Sequence, residues 1–230
     1  TSNGGAIPMS ENTADRYKQT KKTKVRRLFK RAAYDKETVH AILDAALLCH
    51  VGYVIDGQPF VTPTIHWREG ERLYWHGSAA SQALKVQKTG VPVCVTVSML
   101  DGLVLARSGF HHSVNYRSVM AFGTASEVVD PKIKEHHLDM LIERIAPGRA
   151  KEIRPVTKQE LKGTTLVGMD LDEVVAKVRT GPPVDDDEDY ALDVWAGVLP
   201  IHQLAGPAIR DPKLKKGIRA PKYLKTFEIG

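Results

Sequence analysis

Sulfur chemistry is scarce in this chain. Two cysteines, Cys49 and Cys94, occur among 230 residues. Each lies in apolar sequence and neither has a C-x-x-C partner, which removes thiolate zinc sites and dithiol redox motifs. Buried free thiols in a reducing compartment are the expectation, with a disulfide as the alternative. No apolar run approaches the ~20 residues needed to span a bilayer. Residues 1–10 are polar and glycine-rich and lack the apolar core of a signal peptide, so a cytoplasmic protein without membrane partners is expected. Also missing are H-E-x-x-H, facial-triad spacing, G-x-S-x-G and the Walker loop, so metalloprotease, serine hydrolase and nucleoside triphosphatase chemistry find no support. The adjacent pairs His111-His112 and His136-His137 project divergently from a strand or helix and make poor chelators. No metal site is expected.

What is present is an ordinary globular composition, 42% hydrophobic and 26% charged. The net charge of +6 is uneven. Residues 16–31 carry nine Lys/Arg and no acid, and residues 210–225 carry seven and one acid. Those ends contribute +9 and +6, which leaves the remainder at −9. Basic ends can meet nucleic acid or acidic membranes. Here they have little aromatic interleaving and no helix-turn-helix or zinc-finger pattern, so solvated or partner-covering segments are expected and nucleic acid is not.

Periodicity gives a helix over 36–48, with Val39, Ile42, Leu43, Ala46 and Leu47 on one face and Asp35 as N-cap. Strands follow at 50–55, 59–67 and 72–75, with Asp56-Gly57 as a hairpin turn. A helix is predicted over 78–88, capped by Ser78. Strands at 92–99 and 103–107 are joined by a turn at Asp101-Gly102, and a long strand at 116–129 carries a bend at Gly123. A helix over 132–145, a capping box at Thr157 and Glu160, and a strand at 164–171 complete the body; 174–179 is extended or short-helical. The reading is a mainly β single domain, a small antiparallel barrel with peripheral helices. Its span is 27–205, between a flexible basic arm at 1–26 and a basic tail at 206–230.

Four segments can carry chemistry. In His76-Gly77-Ser78-Ala79-Ala80-Ser81, a strand turns through glycine into a helix. Its unpaired N–H groups suit an anion, with Ser78, Ser81 and Lys85 nearby; the plain alternative is a serine-capped helix. In Tyr116-Arg117-Ser118, the guanidinium suits a phosphate, or else pairs with a carboxylate. Strand alternation sets Tyr116 and Ser118 on one face and Arg117 on the other. Lys177 and Arg179 share a face and meet either phosphate or Asp185 to Asp189. Trp195 beside Gly197 could lie against an aromatic ring system, or be core.

The order of Val51-Gly52-Tyr53-Val54, Pro59-Phe60-Val61-Thr62-Pro63, Leu73-Tyr74-Trp75-His76-Gly77-Ser78 and Asn115-Tyr116-Arg117-Ser118-Val119 resembles the pyridoxamine 5'-phosphate oxidase-like FMN-binding proteins. It is most similar to the branch that includes nitroimidazole reductases. The resemblance implies a split β-barrel that dimerises and holds FMN at the subunit interface. Pro63, Thr64 and Ile65 would flank the isoalloxazine, and His76, Gly77, Ser78 and Ser81 would lie near the ribityl phosphate. Tyr116, Arg117 and Ser118 would reach it from the neighbouring strand, and Trp195 from the partner chain. Lys85, Lys177 and Arg179 are further cofactor-binding candidates. The implied function is a flavin-dependent oxidoreductase of unassigned substrate; the alternative is a non-catalytic FMN-binding, sensing or storage protein. Ser81-Gln82-Ala83 departs from the family's glycine-and-basic turn, and the arginine and histidine pattern of true vitamin B6 oxidases is absent, so that reaction is not expected.

Overall fold

The computed structural model describes residues 15–228. Its strands are β1 (Ala32–Ala33), β2 (Leu48–Ile55), β3 (Gln58–Glu69), β4 (Arg72–Ser78), β5 (Thr89–Leu105), β6 (Ser113–Glu127), β7 (Thr164–Asp170), β8 (Glu173–Arg179) and β9 (Gly197–Pro200). Its α-helices are α1 (Lys36–Ala45), α2 (Gln82–Gln87), α3 (Pro131–Ile145) and α4 (Lys158–Gly163). All the strand pairings are antiparallel. Strands β6, β7, β4, β3, β2 and β5 pair in that order, and β5 returns to β6, so the sheet closes. The closure is split along β6: Tyr116 to Phe122 pair with β8, whereas Ser126 and Glu127 pair with β7. This is the split barrel expected of a mainly β chain.

Alternation decides what fills the barrel. In β2, Cys49, Val51 and Tyr53 are buried, while Leu48, His50 and Val54 are exposed. Leu73, Trp75, Val95, Val97, Val119, Ala121, Met169 and Val174 join them inside. Helix α1 closes one end with Val39, Ile42 and Leu43, each worth about 1.5–3 kcal/mol when removed from water. Asp35 caps it through Thr38 N–H at 2.8 Å. Gly123 is required where β6 crosses towards β7, because a Cβ there would lie 2.5 Å from Met169 Cγ.

Two sequence expectations change, and one open alternative is decided. No turn forms at Asp101-Gly102: β5 runs through with a register shift between Leu100 and Gly102, because β6 pairs with both halves. Residues 174–179, read from the sequence as extended or short-helical, lie in strand β8. Helix α2 starts at Gln82, so Ser78 ends β4 and Ser81 holds the N-cap position without a side-chain cap bond. The described part of the N-terminal arm lies against the barrel. Tyr17 is buried, its hydroxyl donates to Glu71 at 2.7 Å, and Tyr34 Oη–H donates to Thr23 O at 2.7 Å. Cys49 and Cys94 are free thiols. No helix among the described residues is long and apolar enough to cross a membrane.

Candidate functional site

Register sorts the predicted site residues by face. Pro63 pairs with His50, and His50 with Thr96, so these share the outward face. Ile65 pairs with Leu48, Ser98 with Ser118, and Ser118 with Lys177, all on the same face. Tyr116 pairs with Leu100 and with Arg179, one pair further along. On β4, His76 shares the face of Tyr74, which pairs with Trp67. Pro63, Ile65, His76, Tyr116, Ser118, Lys177 and Arg179 therefore form one band across the outer surface.

The remaining candidates leave that band. Thr64 pairs with buried Cys49 and faces away from it. Gly77 faces Leu84 of α2, whose Cδ2 lies 3.2 Å from a would-be Cβ. Arg117 is turned from Tyr116 and Ser118 and engages Asp101: Nε donates at 3.0 and 3.2 Å, and a terminal nitrogen at 2.8 Å. That carboxylate raises the Arg117 pKa. The phosphate role given to Arg117 is thus replaced, within this chain, by the carboxylate pair. Ser78 Oγ accepts from Ala80 N–H at 3.2 Å, so it organises the turn before α2 instead of capping a helix. Lys85 is exposed on α2.

The two ends of the band differ in finish. At the β6–β8 end, Arg179 donates to Asn115 Oδ1, and Ser118 Oγ–H donates to Lys177 O at 3.3 Å. Asp185 does not pair with Lys177 or Arg179; it accepts from Arg107 N–H at 3.0 Å and from its guanidinium at 3.1 Å. At the β4 end, His76 sits 6.1 Å from Trp67 between ring centroids. Its Nδ1 is buried without a hydrogen-bond partner, and burial holds the ring below the ordinary histidine pKa. A buried imidazole nitrogen without a partner costs about 1–3 kcal/mol, so the position suits a polar ligand atom that would restore the bond. Trp195 is 70% exposed and is not core. Its indole lies over Gly197, where a Cβ would come within 2.9 Å of the ring.

Sequence reasoning missed His50 and Thr96, which stand in the middle of the band. The available signal was the alternation Leu48-Cys49-His50-Val51, with a histidine at an outward position. Among the described residues no group of three His, Cys, Asp or Glu side chains could hold a metal ion.

Comparison with known proteins places this geometry. The family model described as pyridoxamine 5'-phosphate oxidase matches residues 35–178. A flavocytochrome from Azotobacter vinelandii is 44% identical, with a TM-score of 0.87, covering 92% of this chain and 98% of its own. A protein from Mycobacterium smegmatis described as binding FAD and heme is 34% identical, with a TM-score of 0.83, covering 86% of this chain and 97% of its own. A 5-nitroimidazole antibiotic resistance protein from Bacteroides thetaiotaomicron shares the fold at 23% identity and a TM-score of 0.53, covering 64% of this chain and 86% of its own. Among curated proteins none matches. The match over more than half its length shows that the chain belongs to the pyridoxamine 5'-phosphate oxidase family.

Proposed function

We propose that this protein is a flavin-dependent oxidoreductase that also carries heme, with the flavin held between two copies of the chain. The outward band carries the flavin part of this reading, and the relative described as binding FAD and heme carries the heme part. It offers an orphaned imidazole at His76, hydroxyls at Ser118 and Tyr116, cations at Lys177 and Arg179, and apolar wall at Pro63 and Ile65. A flavin nucleotide needs those three kinds of contact: hydroxyl partners, cations for phosphate, and flat apolar surface. When bound, it supplies hydride and one-electron chemistry that the side chains here lack.

The curvature of the sheet supports a homodimer. From β4 to β8 the band crosses five strand spacings, roughly 24 Å, and outward side chains diverge on a closed sheet. The His76 end and the Lys177 end converge on one ligand when a second copy sets its β6–β8 end against the first copy's β3–β4 end. Trp195, exposed just before β9, is then available to the neighbouring ring. The relative described with FAD and heme favours FAD over the FMN expected from the family resemblance.

The test is the visible spectrum of purified protein, followed by chromatography of the released cofactor. Flavin bands and an FAD peak support the reading; an FMN peak keeps the flavoprotein and revises the nucleotide. A colourless protein that retains neither FMN nor FAD overturns it. Turnover with a pyridine nucleotide and a small acceptor separates an enzyme from a storage or sensing protein.

A further inference from the structure

We infer that His112 would hold the heme iron through Nε2; this rests on the reading that the chain carries heme. His112 follows a short 3-10 turn (Gly109–His111) and immediately precedes β6. Its Nδ1–H donates to the carbonyl of Ser108 at 2.8 Å. That bond fixes the tautomer, leaves the lone pair on Nε2, and orients the ring. Metal-ligating histidines are characteristically held in this way.

The other histidines fit the role less well. His66 Nε2 contacts Leu43 O at 3.0 Å in the core. His40 Nε2 lies 2.9 Å from Tyr17 Oη, and His111 Nε2 lies 3.2 Å from Asp186. His136 and His137 both direct Nε2 towards Glu69, at 3.2 and 3.6 Å. His76 is half-buried with its Nδ1 enclosed, and its position belongs to the flavin band. His50 and His202 are exposed, and neither has a ring nitrogen fixed by a hydrogen bond to a carbonyl. Among the described residues, His112 combines a held Nδ1 with an exposed ring whose Nε2 is open.

The surroundings suit a porphyrin face. Strand β6 continues from His112 to outward Val114, which pairs with Leu103, and Leu103 pairs with Leu199 of β9. Val114 and Leu199 are 38% and 52% exposed, and Phe110 two residues before His112 is 88% exposed. Exposed apolar side chains beside one oriented imidazole are what a histidine-ligated heme requires of a protein.

The experiment titrates hemin into the purified full-length flavin-loaded protein and records absorption and ferric EPR spectra for the wild type, His112→Ala, His136→Ala and His202→Ala. Stoichiometric uptake with a histidine-ligated signature is expected for the wild type and for the two control variants. His112→Ala should lose that signature or weaken hemin affinity by at least about tenfold, with added imidazole restoring the spectrum and the flavin bands certifying the fold. An unchanged His112→Ala spectrum, or loss in a control variant instead, overturns the assignment while leaving the heme reading intact. A wild type that keeps flavin but takes up no hemin overturns the assignment and the heme reading together, and spares the flavin.

Discussion

The outer surface of the barrel has two halves built from the same alternating pattern, and they end differently. Over β3 and β4, Trp67 and Tyr74 are covered by α3: their rings stack at 6.0 Å, His137 lies 3.7 Å from Tyr74, and Leu141 and Leu166 complete the cluster. Over β2, β5 and β6 none of the described residues covers Leu48, Val54, Leu100 and Met120, which are 43–56% exposed. An open apolar groove of about 360 Å³, lined by Val61, Cys94 and Phe122 among others, runs into this half. Contiguous exposed apolar surface of this kind marks an interaction site. The covered half should therefore respond to substitution through stability, and the bare half through association and ligand binding.

The largest effect belongs to the covered half. Trp67→Ala removes a side chain that is 2% exposed and its bond from Nε1 to His137 Nδ1 at 3.4 Å, and should lower unfolding free energy by about 3–5 kcal/mol in urea titrations. A loss below about 1 kcal/mol would mean that α3 is not held by this cluster. Next is a pH effect at the sealed end under α1. Burial pushes the His66 pKa down from 6.5 to about 4. The unfolded chain therefore takes up this proton first. Stability is full above about pH 6.5, falls towards pH 4 by about 3 kcal/mol, and levels below that. His66→Gln should flatten that slope; an identical slope would assign the acid sensitivity to other groups.

Packing inside the barrel sets a smaller scale. Gly123→Ala drives a Cβ into Met169 and should cost about 1–3 kcal/mol, read from thermal or urea midpoints, because Met169 must move within a filled core. Arg117→Ala tests which role the guanidinium has. Its partly exposed pair with Asp101 is worth about 1 kcal/mol of stability. Flavin affinity should hold, in contrast to Lys177→Ala, which should weaken it. An Arg117→Ala variant that folds normally and loses flavin would return this residue to the binding site, against the orientation described above.

Arg117 also shows where the sequence was legible. The barrel could be read because period-two alternation in β2 and β6 and the caps at Asp35 and Thr157 are local signals. Alternation alone placed Tyr116 and Ser118 together and Arg117 apart, and the register agrees. The preference of Arg117 for Asp101 over a ligand was one of two open alternatives. Choosing between them needed the course of β5, which passes through Asp101-Gly102 where the dipeptide reads as a turn. A turn propensity worth a fraction of a kcal/mol yields to β6 pairing on both sides. Likewise Ser78 reads as a cap, but pairing of β4 with β7 through Ser78 and Thr164 keeps it in the strand. Trp195 resisted a reading because its environment is set by β9 meeting β5, a contact far apart in sequence.

The smallest effect on stability should fall where the comparison is sharpest. Met120 is 43% exposed and pairs with Thr96 and Val175 across the bare half. Met120→Glu creates no cavity and removes no buried bond, so under conditions where only monomer is present its unfolding free energy should stay within about 0.5 kcal/mol of the parent. Against a second copy the same carboxylate would have to be desolvated without a partner, which costs several kcal/mol. Sedimentation velocity should then show the parent as a dimer and Met120→Glu as a monomer, with flavin lost in parallel because neither copy alone unites the His76 and Lys177 ends. A Met120→Glu protein that dimerises and holds flavin as tightly as the parent would place the interface elsewhere. The bare half would then need a different occupant, and the flavin site would have to be built from one end of the band alone.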